Sequence, residues 1–368
     1  MKQILFFLGT EAEFIKLFPV MAELEARGID YRILASGQNE IRTSTLFSAL
    51  KHDGCDLLLS DPTSIQKTAK GLLLWFLRTA RHARRTLPGW LKEHDISDAL
   101  LVVHGDTVST LMGAWLGHKL KLLPVHVEAG LRSFDYLNPF PEEINRSLVS
   151  RYARVHFAPS EQTCRNIRNK RGTIVNTQGN TLLDALEISH RYASGVLPDC
   201  VPERGSYFVF VVHRQENIAN RATLARFLDE MLEAAKRMPC VFLLHEPTRV
   251  ALEQFGLLDC VTNQPNVHCV ERMEYFRFME LLSGSAYVIT DGGSNQEELS
   301  YMGKPCLLLR KKTERMDGLG ENALLYGGDP SKIGWMSEHY AELERPPLAA
   351  AVSPSSVIVD TLEELRRA

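Results

Sequence analysis

Short apolar runs recur along the chain, and each breaks into a polar or glycine-bearing turn before a segment of helical spacing begins. Ile4 to Leu8 reads as a buried strand, Gly9-Thr10-Glu11-Ala12-Glu13 as the turn after it, and Phe14 to Arg27 as a helix that Gly28 ends. Tyr31 to Ala35 is the next strand, followed by Ser36-Gly37-Gln38-Asn39. Leu100 to Val103 runs into His104-Gly105-Asp106-Thr107 and then into roughly a dozen helix-patterned residues. Leu122 to Val127 ends in Glu128-Ala129-Gly130-Leu131-Arg132, and a Pro-rich loop leads to Pro141-Glu142-Glu143, which opens another helix. Strand Val155 to Ala158 and helix Ser160 to Lys170 complete a doubly wound unit. Thr177 to Thr181 reads as a hinge before a helix from Leu182 to Tyr192, and Gly195 to Ser206 as a polar linker.

The pattern then restarts. Strand Tyr207 to Val212 ends in His213-Arg214-Gln215-Glu216-Asn217; helix Thr223 to Arg237, strand Val241 to Leu244 ending in His245, and helix Glu274 to Ser283 follow. Strand Tyr287 to Thr290 ends in Asp291-Gly292-Gly293-Ser294-Asn295-Gln296-Glu297-Glu298. Repeated βα alternation builds parallel sheets. The expected fold is therefore α/β: two Rossmann-like doubly wound domains facing a cleft, the first over residues 1–180 and the second over 181–354.

Chemistry gathers at the ends of these runs. Two strand ends and one helix start present Asp106, Glu128 and Glu142, and open parallel sheets bind ligands at the carboxyl ends of their strands. A Gly292-Gly293-Ser294 turn opening a helix suits a diphosphate through its N–H groups and the helix dipole. Gly9 ahead of a helix, with Lys16 one turn in, is a weaker phosphate signal of the same kind. No GxGxxG follows any strand, which favours a nucleotide-sugar enzyme over a dinucleotide dehydrogenase. His104, Asp106, His126 and Glu128 share a strand-end face as a metal set would, but no ligand-spacing motif such as HExxH accompanies them.

Length and composition narrow the class. A chain of 368 residues exceeds the size at which one core stops growing, and 45% hydrophobic with 24% charged residues builds ordinary cores. A formal net charge of −3 gives no reason to expect nucleic-acid binding. Seven cysteines without a CxxC pair suit reduced thiols. Met1 runs straight into the first strand without a signal-peptide pattern, and no run approaches the roughly 18 apolar residues of a membrane span, so a cytoplasmic protein is expected. Ile65 to His94 reads as a long helix carrying Leu72 to Phe76 and then Arg78, Arg81, Arg84 and Arg85. Such a basic amphipathic helix can lie on an anionic membrane; the commoner role is a domain helix with a solvated basic face or a dimer contact.

His104-Gly-Asp-Thr, His126-Val-Glu-Ala-Gly-Leu-Arg132, Pro139-Phe-Pro-Glu-Glu-Ile-Asn-Arg146, Gly179-Asn-Thr, His213-Arg-Gln-Glu-Asn217, Asp291 to Glu298, Gly303-Lys-Pro305 and Thr313-Glu-Arg315 resemble, in order, the motifs of the non-hydrolysing bacterial UDP-N-acetylglucosamine 2-epimerases. The resemblance runs from Gly9 to about Arg315. It implies a glycosyltransferase-B-like fold in which a C-terminal helix (residues 355–368) packs back on the first domain, a homodimer, and no cofactor. It also implies that UDP leaves through an oxocarbenium-like species to give a 2-acetamidoglucal, then adds back with C2 inverted, making UDP-N-acetylmannosamine for cell-surface polysaccharide precursors. By motif match Asp106, Glu128 and Glu142 carry the C2 chemistry and His213 attends the leaving diphosphate. Lys16, Arg146, Phe278, Gly292, Gly293, Ser294, Glu298 and Arg315 fall on substrate-binding positions, with Phe278 beside the uracil and Glu298 on the ribose. Gln38 and His245 fall on the family's second, activating site.

The chain departs from the family pattern at several points. Glu11 stands where the family carries arginine, Asn39 where it carries histidine and Glu246 where it carries asparagine. The phosphate turn, usually Asp-Ser-Gly-Gly-Ile, reads Asp291-Gly-Gly-Ser-Asn295. A hydrolysing 2-epimerase that releases UDP and N-acetylmannosamine, a 2-epimerase of a modified UDP-sugar, a glycosyltransferase and a non-catalytic UDP-sugar-binding protein remain the alternatives.

Overall fold

Each apolar run becomes a parallel strand in the computed structural model, which describes residues 1–62, 69–136, 140–192, 197–313, 315–349 and 351–368. Ile65 to Thr68 of the expected long helix, Pro139 of the Pro-rich motif, Gly195 and Val196 of the linker and Glu314 lie outside the described residues. The chain divides into one unit of Met1–Ile188 with Ala350–Ala368 and a second of Ser189–Ala349.

The first unit runs β1 (Gln3–Leu8), α1 (Glu11–Ala26), β2 (Tyr31–Ala35), β3 (Leu57–Leu58), α2 (Ala69–Glu93), β4 (Ala99–His104), α3 (Val108–Lys119), β5 (Leu123–Val127), α4 (Glu142–Tyr152), β6 (Val155–Ala158), α5 (Glu161–Ile167), β7 (Thr173–Asn176) and α6 (Leu182–Tyr192), whose last turn passes into the second unit. Its strands lie in the order β3-β2-β1-β4-β5-β6-β7. The order reverses between β1 and β4, the switch point where open sheets hold ligands. β4 is buried along its whole length, as a central strand covered on both faces must be. Leu5, Phe7, Leu101, Val103 and Met112 form part of the core beneath α2 and α3.

The second unit runs β8 (Phe208–Val211), α7 (Gln215–Ile218), α8 (Arg221–Ala235), β9 (Cys240–Leu244), α9 (Glu246–Phe255), α10 (Asp259–Thr262), β10 (Val267–Glu271), α11 (Tyr275–Gly284), β11 (Val288–Thr290), α12 (Gly293–Met302), β12 (Cys306–Leu308), β13 (Ala323–Leu325) and α13 (Ser331–His339). Its order, β10-β9-β8-β11-β12-β13, reverses between β8 and β11. The last helix, α14 (Pro354–Arg367), belongs to the first unit, where Arg27, the C-cap of α1, pairs with its Asp360 and Glu363 and Lys2 N–H donates to Arg366 O at 3.1 Å.

Three expectations change. The turn read over Gly9 to Glu13 is shorter, because Thr10 caps α1 and Glu13 reaches back to complete a capping box, so the helix starts at Glu11. Thr177 to Thr181, read as a hinge, is bonded into the first unit: Asn180 donates to Glu128, and Thr181 donates to the Lys16 carbonyl. The unit boundary falls later, inside α6. The short strands β3, β7, β10, β12 and β13 were not foreseen; two to five residues are too few to carry a periodic signal. In α2 the stripe of Trp75, Ala83, Leu87 and Leu91 is buried and Arg78, Arg81, Arg84 and Arg85 are exposed. No helix among the described residues is long and apolar enough to cross a membrane.

Candidate active site

In the first unit the acids sit at the carboxyl end of the sheet. β4 and β5 pair with His104 opposite Val127, which brings the residues just beyond them, Asp106 and Glu128, to the same edge. Glu128 holds a left-handed backbone, φ 62°, unusual for a residue with a Cβ and of the kind that clusters at functional sites. Its Oε2 receives the Lys16 ammonium and the Asn180 amide (2.7 Å), with His104 Nε2 at 3.3 Å. Asp106 is clasped by Arg146 through Nε (2.8 Å) and Nη2 (2.6 Å), while Asn145 donates to its backbone carbonyl at 2.8 Å. Glu142 opens α4 one turn before Arg146, so both lie on one helix face. Its Oε2 is buried and has no hydrogen-bond partner among the described residues.

The β1–α1 turn supports this group without the phosphate-loop character that Gly9 suggested. The Gly9 and Thr10 N–H groups, which such a loop would offer to an anion, donate to Glu13 Oε2 at 2.6 and 2.9 Å. The hydroxyls of Thr107 and Thr110 donate to Glu13 Oε1, tying β1–α1 to β4–α3. Burial raises the Glu13 carboxyl above its ordinary range against the pull of these bonds. Gly9 is needed for packing instead: a Cβ there would lie 2.1 Å from Ser109 Oγ. Lys16, expected at the diphosphate, is buried with its ammonium on Glu128. His126 is not among the acids' contacts; its Nε2 donates to the Gly105 carbonyl at 2.8 Å, and burial pushes the imidazole down to about 3, so it is neutral. Among the described residues no group of three or more His, Cys, Asp or Glu side chains is placed to hold a metal ion.

In the second unit the corresponding edge is built around Asp291, fully buried just past β11. Its carboxylate accepts the His213 and Arg214 N–H groups and the Asn217 amide, and its Oδ1 lies 3.1 Å from His213 Nδ1. Burial alone would raise Asp291, but His213, Asn217 and the Arg214 N–H outweigh it and hold the carboxyl below its usual value. His245 packs its ring 4.8 Å from that of His213, and burial with the neighbouring His213 and Arg272 pushes it down to about 4. α12 begins at Gly293, directly after Asp291 and Gly292, so its first-turn N–H groups lack intrahelical partners. Arg315 and Arg310 stand over this turn: a Cβ on Gly293 would lie 3.6 Å from Arg315 Nε and 3.9 Å from Arg310 Nη1. Gln296 of α12 holds the arginine loop by donating to the Arg315 and Asp317 carbonyls at 3.1 and 2.8 Å. Ser294 is exposed on the same turn, Glu298 accepts the Asn295 amide at 3.0 Å, and Phe278 is half-buried on α11.

The altered phosphate turn is internally consistent. A Cβ on Gly292 would meet Asn295 Oδ1 at 2.5 Å, so a serine at this position, as in the family pattern, would require the asparagine side chain to shift. Glu13 and Arg310 stand beside these groups without having been named as candidates, while Asp291 was named only as the start of the phosphate-turn motif. The Thr10 to Glu13 spacing was a legible capping-box signal; Arg310 carried none of its own.

Two Rossmann-like units, one with cation-held carboxylates at its switch-point edge and the other with a glycine-opened helix beneath arginines, define a nucleotide-sugar enzyme of the glycosyltransferase-B-like class. The chain belongs to the UDP-N-acetylglucosamine 2-epimerase family, whose model matches residues 22–344. It is 31% identical over 341 residues to the UDP-N-acetylglucosamine 2-epimerase of Methanocaldococcus jannaschii, covering 88% of this chain and 87% of the relative. The solved structure of the UDP-GlcNAc 2-epimerase from that organism is similar at a TM-score of 0.77 and 27% identity, over 99% of this chain and 100% of the other. A structure of the Neisseria meningitidis UDP-GlcNAc 2-epimerase bound to UDP-GlcNAc is similar at 0.77 and 27%, with the same coverage.

Proposed function

We propose that this protein interconverts UDP-N-acetylglucosamine and UDP-N-acetylmannosamine without net hydrolysis, supplying a precursor for cell-surface polysaccharide. In the forward direction the C1–O bond breaks and UDP leaves through an oxocarbenium-like species, a carboxylate then takes the C2 proton that the cation has acidified, and a 2-acetamidoglucal remains. A second acid then returns a proton to the opposite face of C2 while UDP re-forms the bond at C1. Inversion therefore needs an ionised acid and a protonated one. The difference in how the three acids are held carries this reading. Asp106 and Glu128 each rest on a cation, Arg146 and Lys16, whereas Glu142 holds a buried oxygen without a partner among the described residues, so the three acids offer the reaction differently held carboxyl groups. His213, its Nδ1 facing Asp291, has Nε2 left for the departing diphosphate, and the α12 turn with Arg315 offsets the charge that develops there.

The test is proton NMR of the protein with UDP-N-acetylglucosamine in deuterated water. Deuterium at C2 and UDP-N-acetylmannosamine with its anomeric phosphate bond intact are expected. Free N-acetylmannosamine with stoichiometric UDP would replace the proposal by the hydrolysing reaction, and an inert C2 in a protein that binds UDP would remove both.

A second expectation concerns activation. Gln38 Oε1 accepts the Ser109 N–H and hydroxyl at 3.2 and 2.7 Å, Asn39 N–H is bonded to Gly9 O, and Glu246 places an exposed acid on the first turn of α9. An effector without differential contacts shifts no equilibrium. The rate should therefore rise hyperbolically with UDP-N-acetylglucosamine; a sigmoidal curve made hyperbolic by a trace of effector would contradict this.

A further inference from the structure

Glu143, beside the proposed catalytic acid Glu142, is fully buried and so cannot touch a substrate. Its Oε1 accepts Arg132 Nε–H at 2.6 Å, and its Oε2 accepts the Ser133 N–H at 3.0 Å and lies 3.7 Å from Arg146 Nη1. Arg146 turns its other edge, Nε and Nη2, to Asp106. Charges thus alternate along one line: Arg132, Glu143, Arg146, Asp106. A buried carboxylate is retained only where cations and donors match it, and here every contact serves the geometry of a neighbour. Glu143 and Arg146 sit three residues apart on α4, the spacing that lets a carboxylate fix one edge of a guanidinium. The planar fork then has a single orientation left for its second partner.

We propose that Glu143 is a positioning residue of the reaction: it fixes Arg146 so that Nε and Nη2 together hold Asp106. The proposal rests on Asp106 belonging to the reacting acids. Removing the Glu143 charge frees Arg146 Nη1 and lets the guanidinium leave the two-point grip, so Asp106 is misplaced while the UDP contacts in the second unit are untouched. Misplacement of a reacting group by about 1 Å lowers rates on the order of 100-fold.

The experiment is a double-mutant cycle on the full chain, with kcat and KM for UDP-N-acetylglucosamine and UDP affinity by calorimetry. Glu143→Gln should lower kcat by about 10- to 100-fold with UDP affinity within about twofold of wild type, and Glu143→Asp, which keeps the charge, should recover part of the loss. In the Asp106→Asn background Glu143→Gln should cause little further loss, since groups acting as a unit are non-additive. Full multiplication of the two losses would overturn the proposal, as would wild-type kcat for Glu143→Gln beside an impaired Asp106→Asn. If Glu143→Gln does not fold, Glu143→Asp takes its place in the cycle, with a loss expected in the wild-type background and none in Asp106→Asn. An active wild type with an unimpaired Asp106→Asn variant would instead remove the assignment of Asp106 on which the proposal rests.

Discussion

An Asp106→Asn enzyme should turn over about 100-fold or more slowly than wild type while binding UDP as tightly, and Glu128→Gln and Glu142→Gln should behave alike. The amide keeps the shape of the carboxylate, so the loss reports charge and proton transfer rather than packing. At Asp106 both Arg146 donors meet the one oxygen Oδ2, so an amide with its oxygen there keeps the contact and removes the charge that balances the guanidinium. At Glu128 the amide turns neutral in front of the Lys16 ammonium, His104 and Asn180, and a buried cation loses its counter-charge. Because the proposed UDP contacts lie in the second unit, calorimetry with UDP separates a chemical loss from a binding loss. Unchanged kcat in Asp106→Asn would sink the assignment of the acids.

Arg315→Ala should weaken UDP binding by roughly tenfold to 150-fold, the equivalent of about 1.5–3 kcal/mol for a charge-assisted contact. Arg315 stands over the Gly293 backbone, and its guanidinium also pairs with Glu297, which is buried and accepts the Tyr301 hydroxyl at 3.1 Å. Truncation therefore removes a phosphate donor and leaves a buried carboxylate short of its cation, so a lowered melting temperature should accompany the lost affinity. Arg315→Lys keeps the charge but not the fork, and should fall between the two. Equal UDP affinity for wild type and Arg315→Ala would count against this contact.

The elements that could be read from the chain are those whose signal is local. β1, β4, β5, β8 and β11 are apolar runs because central parallel strands are buried on both faces, and α6 was foreseen to the residue because apolar positions recur at helical spacing from Leu182 to Tyr192. Edge strands such as β3 and β13 left little trace, since two or three residues cannot show a period. The Glu13 network shows the other limit: Thr10 and Glu13 advertise a cap, but nothing local foretells that Thr107 and Thr110 will close on the same carboxylate.

For the site, the sequence by itself determined which residue types stand at the strand ends: Asp106, Glu128, Glu142, His213 and the Gly292-Gly293-Ser294 turn, because strand, turn and helix start are properties of neighbouring residues. Only the tertiary structure decided their partners. Lys16 meets Glu128 across 112 positions of sequence and Arg146 meets Asp106 across 40, with Glu143 on the other edge of the same guanidinium. A carboxylate's partners follow from what it faces after the chain has folded, so which acid meets a cation and which does not is written in the pairing of β4, β5 and α4, not in the spacing of acids along the chain.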